Sequence, residues 1–105
     1  MIKKMSAQEL KALKDSGEEH ILVDCREQDE WDDARIDGAI LMPMGEFESH
    51  IGKLDDKNAK IIVQCRSGAR SMKVCELLKD NGYTDLTNLS GGILEWMDEG
   101  YDIIE

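Results

Sequence analysis

Short apolar runs rich in β-branched residues alternate with amphipathic segments along this chain. Apolar runs bounded by turn residues are typical of buried parallel strands, whereas apolar positions three or four apart are typical of helices. Strands are predicted over residues 21–25, 39–42, 61–64 and 86–89, and Pro43 ends the second of them. The alternation predicts an α/β fold with a central parallel sheet of about four or five strands.

The helical segments carry recognisable start and stop signals. Ser6 and Glu9 have capping-box spacing, Leu10 and Leu13 form an apolar face, and Gly17 predicts where this first helix ends. Further helices are predicted at residues 27–34, 46–54 and 70–79 and from the 91–92 glycine pair through residue 96. The helix at 70–79 presents one inner face, made of Ser71, Val74, Cys75 and Leu78.

Length and charge narrow the possible classes of function. A chain of 105 residues can bury the core of one domain, so residues 1–105 are interpreted as a single domain. The net charge of −10 argues against binding to nucleic acid or to an acidic membrane. No apolar stretch has the length of a signal-peptide core or a transmembrane helix, so we expect a cytoplasmic protein, with a monomer as the default state.

The cysteines are predicted to be free thiols. There are three of them, Cys25, Cys65 and Cys75, an odd number that cannot pair completely within the chain. They form no C-x-x-C motif, and His20 and His50 are isolated, so neither a structural zinc site nor another metal or cofactor is expected.

The segment that most resembles a reactive site directly follows the strand at 61–64. It is Cys65-Arg66-Ser67-Gly68-Ala69-Arg70-Ser71. A cysteine between a strand and a helix start faces unpaired N–H groups, which favour a thiolate or a bound anion. Lowering a thiol pKa by two units needs about 2.7 kcal/mol, and a helix end contributes only about 0.3 to 1 kcal/mol, rising to about 2 in buried geometry. Loop N–H groups, at about 1.5 to 3 kcal/mol each, and the two arginines must therefore share the activation.

This segment resembles the active-site loop of single-domain rhodaneses, and other motifs in the right order extend the resemblance over the whole chain. They are Val23-Asp24-Cys25-Arg26-Glu27 with Glu30-Trp31 after it, Gly38-Ala39-Ile40 to Pro43, and Gly91-Gly92 to Trp96. The resemblance implies a three-layer fold, with helices on both faces of the sheet. It also implies a thiosulfate or persulfide sulfurtransferase in which Cys65 carries the sulfur as a persulfide.

The resemblance assigns roles around Cys65. Arg66 and Arg70 would hold an anionic donor, Ser67 and Ser71 would donate hydrogen bonds, and Gly68 would supply positive φ. Ala69 completes the substrate-binding loop. Partners would be a small anionic sulfur donor and a cyanide, thiol or protein acceptor, with neither nucleic acid nor membrane involved. No histidine base is needed.

Two other functions stay open. Cysteine phosphatases and arsenate reductases need a Cys-x5-Arg loop around a tetrahedral oxyanion, whereas only four residues separate Cys65 from Arg70 here. A shorter ring suits a single sulfur atom better. The stronger alternative is a rhodanese-like sulfur-carrier or protein-docking module with little turnover of its own.

Supporting residues have structural interpretations. Asp24 and Arg26 are predicted to form an ion pair or backbone bond that braces the sheet end. Cys25 and Cys75 are predicted core thiols, and a resolving or redox role is the alternative for Cys25. Where the family commonly has Gly-His-Ile-Pro-Gly-Ala, this chain departs at Ala34, Arg35 and Asp37, in the stretch Ala34-Arg35-Ile36-Asp37-Gly38-Ala39. Ala34 takes a left-handed cap less easily than glycine, so the turn there must be built differently or carry strain.

Overall fold

A single sheet of five parallel strands forms the centre of the protein, in the order β1-β5-β4-β2-β3. This computed structural model describes residues 1–105. The strands are β1 (Ile2–Met5), β2 (Ile21–Asp24), β3 (Ile40–Leu41), β4 (Lys60–Gln64) and β5 (Asp85–Leu89). The predicted parallel α/β sheet is confirmed, and its central strand is β4.

Four α-helices connect the strands and a fifth follows the last strand. They are α1 (Ala7–Ser16), α2 (Gln28–Asp33), α3 (Phe47–His50), α4 (Ala69–Asp80) and α5 (Gly92–Asp98), with short 3-10 turns at Met44–Glu46 and Ile51–Lys53 on either side of α3. None of these helices combines the length and apolar character that crossing a membrane requires.

The helices cover both faces of the sheet, as predicted. Successive residues of β4 point to opposite faces, so Val63 packs in one apolar core with Val74 and Leu78 of α4. Its neighbour Ile62 packs in the second core, with side chains of α1 and α5 that include Leu10 and Trp96. The sheet is thus buried on both sides and its loops meet at the carboxyl ends of the strands.

The first helix begins and ends where its sequence signals predicted. The Ser6 hydroxyl accepts the Glu9 N–H at 3.1 Å, and the Glu9 carboxylate accepts the Ser6 N–H at 3.0 Å. Gly17 ends the helix with φ of 76°. Local capping chemistry therefore determines these boundaries.

The structure adds one strand that was not predicted and corrects one predicted helix. Residues 2–5 form an edge strand that the sequence pattern did not reveal, because Lys3 and Lys4 are exposed and apolar residues do not alternate. Backbone pairing with β5 holds this strand in place. The single helix predicted at 46–54 is wrong: only Phe47–His50 is α-helical there, and the glycine at position 52 lies in a 3-10 turn.

Candidate active site

Cys65 lies at the carboxyl end of the central strand, between β2 and β5. Ligands of open parallel sheets bind at this edge. The chain turns through a loop whose last residue, Gly68, has φ of 101°, and α4 begins at Ala69. The loop therefore brings the amino end of α4 back over the sulfur.

Two backbone N–H groups point at the sulfur atom. The Gly68 N–H donates to Cys65 Sγ at 3.1 Å and the Ser71 N–H donates at 3.4 Å, while the Ser71 hydroxyl oxygen lies 3.4 Å from Sγ. Cys65 itself is 1% exposed. The arrangement is a small cradle for one negatively charged sulfur.

The same contacts favour the thiolate. The neighbouring Cys25 thiol is the largest cause that lowers the pKa of Cys65 to about 4. Burial acts in the opposite direction, and the N–H groups of Ser71 and Gly68 add to the lowering. Backbone amides and a second thiol therefore activate Cys65, with no histidine involved.

This pKa gives a testable pH profile. Because the thiolate is the reactive form, alkylation of Cys65 by iodoacetamide should be nearly independent of pH above about pH 5 and fall as pH drops through about 4. Cys75, whose pKa burial raises to about 12, should stay unmodified in the folded protein. Rates followed by peptide mass mapping test both statements. A Cys65 rate that still rises between pH 7 and 9 would contradict the assignment.

Asn88 is a site residue that the sequence did not reveal. Its side-chain oxygen accepts a short hydrogen bond from the Ser71 hydroxyl, and its Nδ2 donates to the Gly68 carbonyl at 3.2 Å. Asn88 thus fixes the loop to β5 and orients Ser71. The only signal was an amide side chain near the end of the strand predicted at residues 86–89.

Arg70 does not have a free guanidinium. Its two terminal nitrogens donate to the Glu30 carboxylate at 2.7 and 2.9 Å, so α2 is joined to the first turn of α4. The ion pair lowers the pKa of Glu30 to about 2 and raises that of Arg70 above its ordinary value. The resemblance implies that Arg70 binds the anionic sulfur donor. In the structure, however, the two terminal N–H groups of Arg70 already donate to Glu30.

The other predicted loop residues lie on the surface. Arg66, Ser67 and Ala69 are exposed. Arg66 borders a cleft of about 310 Å³ that Ile93 and Met97 of α5 also line. Among the loop residues, Cys65, Gly68 and Ser71 therefore come together around the sulfur, whereas Arg66 and Ser67 face solvent at its rim.

The start of α5, after the glycine pair at 91–92, binds the backbone of the Cys65 loop. The N–H of Ile93 donates to the Cys65 carbonyl at 2.9 Å, and the N–H of Leu94 donates to the Arg66 carbonyl at 3.1 Å. This approach needs Gly92, which has φ of 60° and whose absent Cβ would lie 2.2 Å from the Arg66 carbonyl oxygen. The start of α5 is thus part of the site's framework.

Gly92→Ala should destabilise the protein and disturb the loop. Gly17→Ala is the matched control, because Gly17 has φ of 76° but open space around its Cβ position. Both variants carry a left-handed alanine, at about 1 to 2 kcal/mol, whereas Gly92→Ala alone also displaces the Arg66 carbonyl. Urea unfolding should show a loss at least about 1 kcal/mol greater for Gly92→Ala. Equal losses would show that close approach to the loop is unimportant.

A buried ion pair braces the sheet end beside the site. Arg26 donates to both oxygens of Asp24, at 3.0 and 2.8 Å, and to the Ala34 carbonyl at 2.6 Å. Both charged side chains are nearly inaccessible, at 6% and 0% exposure.

Ala34 itself is extended, with φ of −163°, so the departure from the family pattern creates no left-handed strain. Arg35 places its guanidinium over the Trp31 ring, 5.0 Å from the centroid.

Comparison with known proteins identifies the family. The rhodanese-like domain family matches residues 6–99. The Bacillus subtilis protein named "Putative sulfurtransferase YtwF" is 36% identical over 98 residues, which cover 93% of each chain. A protein of Allochromatium vinosum named sulfurtransferase is 31% identical over 104 residues, 99% of this chain and 96% of the relative. The crystal structure of a Staphylococcus aureus rhodanese-like domain protein superposes with a TM-score of 0.87 at 33% identity, covering 98% of this chain and 99% of that one. The chain therefore belongs to the family of rhodanese-like domains.

Proposed function

We propose that this protein is a thiosulfate or persulfide sulfurtransferase that carries the transferred sulfur on Cys65. The observation that supports this most is the Cys65 Sγ atom within hydrogen-bonding distance of the Gly68 and Ser71 N–H groups. Such a cradle stabilises a single sulfur anion. The sulfurtransferase names of its relatives agree with the proposal.

The reaction proceeds in two half-reactions. The Cys65 thiolate attacks the outer sulfur of thiosulfate; a new S–S bond forms, the old one breaks, and sulfite leaves with the bonding electron pair. The product is a Cys65 persulfide anion held by the loop N–H groups. Cyanide or a thiolate then attacks the outer sulfur, and the Cys65 thiolate leaves. Substituted-enzyme kinetics follow from this sequence.

The two arginines divide the handling of charge. The exposed Arg66 is the first cation that an anionic donor meets against a net charge of −10. Arg70, paired with Glu30, contributes positive potential behind the loop and keeps α2 against α4. Ser67 and Ala69 form the outer wall. Because Cys65 is buried, side chains of the loop must move before the sulfur of a donor can reach it.

The wider setting of the reaction is also a proposal. Three free thiols suit a reducing compartment such as the cytoplasm. The acceptor is cyanide, a small thiol or a cysteine of a protein partner, and residues 1–105 act as one rhodanese domain without a cofactor. Nothing in the reaction needs a second copy of the chain.

The test is sulfur loading followed by discharge. Protein incubated with thiosulfate should release one equivalent of sulfite, and cyanide added at once should yield one equivalent of thiocyanate and leave the original mass. A Cys75→Ala variant should behave identically. Failure to pass sulfur to cyanide from thiosulfate or from a small persulfide would refute the proposal. In a donor panel, a strong preference for mercaptopyruvate would count against thiosulfate-type donors.

The burial of Cys65 favours one alternative, a sulfur-carrier or docking module that receives sulfur from a protein partner. That function predicts single-turnover loading but slow steady-state turnover with small donors. Phosphatase or arsenate reductase activity is disfavoured because the four-residue spacing to Arg70 leaves a ring around one sulfur only. No hydrolysis of phosphotyrosine is expected.

A further inference from the structure

Cys25 occupies the position beside Cys65 on the neighbouring strand. In the parallel register of β2 and β4, Asp24 pairs with Gln64, and the residue that follows each of these strands is a cysteine. The Cys25 N–H donates to the Gln64 carbonyl at 2.9 Å, which continues the ladder to this point. The two cysteines therefore stand side by side at the carboxyl edge of the sheet.

Both thiols also face the same side. Cys25 and Cys65 belong to one apolar core together with Val23 and Val63, the residues two positions before them on each strand. Neighbouring strands lie about 4.8 Å apart, and disulfides join Cα atoms roughly 4.4 to 6.8 Å apart. A bond between the two sulfurs is therefore possible without moving either strand.

The two sides of Cys65 have different chemistry. On the side of β5, Asn88 holds Ser71, and the N–H groups of Ser71 and Gly68 form the cradle. On the side of β2, the nearest reactive group is the Cys25 thiol. A sulfur atom added to Cys65 and held by the loop N–H groups leaves the inner Sγ open to attack from Cys25.

We infer that Cys25 is a resolving thiol that attacks the inner sulfur of the Cys65 persulfide, forms a Cys25–Cys65 disulfide and releases hydrosulfide. This inference rests on the proposed function, since it requires the persulfide. The S–S bond to the outer sulfur breaks as the new S–S bond forms. The Cys25 proton leaves with the outer sulfur as HS⁻, so Cys25 is oxidised and the sulfane sulfur is reduced. An external thiol or dithiol reductant returns both cysteines to thiols.

Protonation keeps the resting enzyme from reacting through the wrong thiol. The Cys65 thiolate beside it and burial raise the pKa of Cys25 above its ordinary range. Cys25 is therefore a protonated donor while Cys65 is the nucleophile. Once Cys65 bears a persulfide, its Sγ no longer carries the negative charge that raised the pKa of Cys25, so the Cys25 thiol can lose its proton as the outer sulfur leaves as HS⁻. Cys65 therefore reacts first as the nucleophile, and Cys25 reacts only after the persulfide has formed.

The experiment follows sulfide release and disulfide formation anaerobically, without an external acceptor. Wild-type protein loaded with thiosulfate should release one equivalent of hydrosulfide and lose two hydrogen atoms relative to the reduced mass, and peptide mapping should find Cys25 joined to Cys65. Cys25→Ala and Cys25→Ser should instead keep the added sulfur on Cys65 and release no sulfide until cyanide or a thiol is added. Cys75→Ala, a substitution in the same core, should match wild type.

The outcomes separate this inference from the proposed function. Wild-type protein that keeps its added sulfur, with no hydrosulfide and no Cys25–Cys65 peptide, would overturn the resolving role while leaving the sulfurtransferase intact. Failure of both wild type and the Cys25 variants to gain sulfur would overturn both. If the Cys25 variants do not fold, the wild-type peptide map and sulfide release decide the question. A disulfide that forms equally without thiosulfate would also count against the inference.

Discussion

Cys65→Ser is expected to abolish sulfur transfer, with a loss of at least about 10³-fold in turnover from thiosulfate to cyanide. A serine hydroxyl stays protonated at neutral pH and forms no stable bond to the transferred sulfur. The same loop N–H groups that point at Cys65 Sγ can hydrogen bond to a hydroxyl oxygen, so the fold should survive. Thiocyanate formation and intact mass after thiosulfate incubation measure the effect.

Cys75→Ser is the matched control for that experiment. Cys75 is also fully buried, but it lies on the inner face of α4 and its thiol has no hydrogen bond to Cys65. Its replacement should leave turnover within about twofold, since no group of the site is removed. A Cys65→Ser protein that still acquires sulfur would assign the chemistry to another residue.

Asp24→Ala is expected to destabilise the protein by about 3 to 5 kcal/mol, because it leaves the buried Arg26 guanidinium without its counter-ion. The Arg26 N–H also loses its acceptor, since it donates to the same carboxylate at 3.0 Å. Only the Ala34 carbonyl would still accept from this side chain. Urea unfolding should therefore show a much lower midpoint with a similar slope.

Asp15→Ala provides the surface comparison. Asp15 pairs with Lys11 one helical turn away, but its side chain is 63% exposed, so its loss should leave the unfolding midpoint unchanged within error. A loss of less than about 1 kcal/mol for Asp24→Ala would show that water relieves the Arg26 charge and that the pair does not brace the sheet end.

Sequence patterns located the core of the site well where the signals were local. The strand before Cys65, the turn at Gly68 and the helix after it follow from apolar runs, glycine and periodicity within a few residues. Ser71 and Cys75 were placed on the buried face of α4 for the same reason. The edge strand at residues 2–5 was missed because its pattern carries no alternation.

Contacts between distant segments were beyond such patterns. The partner of Arg70 is Glu30, 40 positions earlier, and the partner of Ser71 is Asn88, 17 positions later. No pattern within a few residues predicts either partner, since many acidic side chains along the sequence could have paired with Arg70. The support of the loop by Gly92 also depends on how α5 docks against the end of β4.

By itself, the sequence determined an α/β protein with a cysteine between a strand and a helix start, because backbone preference and apolar periodicity act over a few residues. Tertiary structure decided what surrounds that cysteine. Strand register placed Cys25 beside Cys65, and packing of α2 and α5 engaged Arg70 and fixed the loop carbonyls. Register and packing are set by the whole sheet, so the charge and reactivity of Cys65 emerge only when the chain is folded.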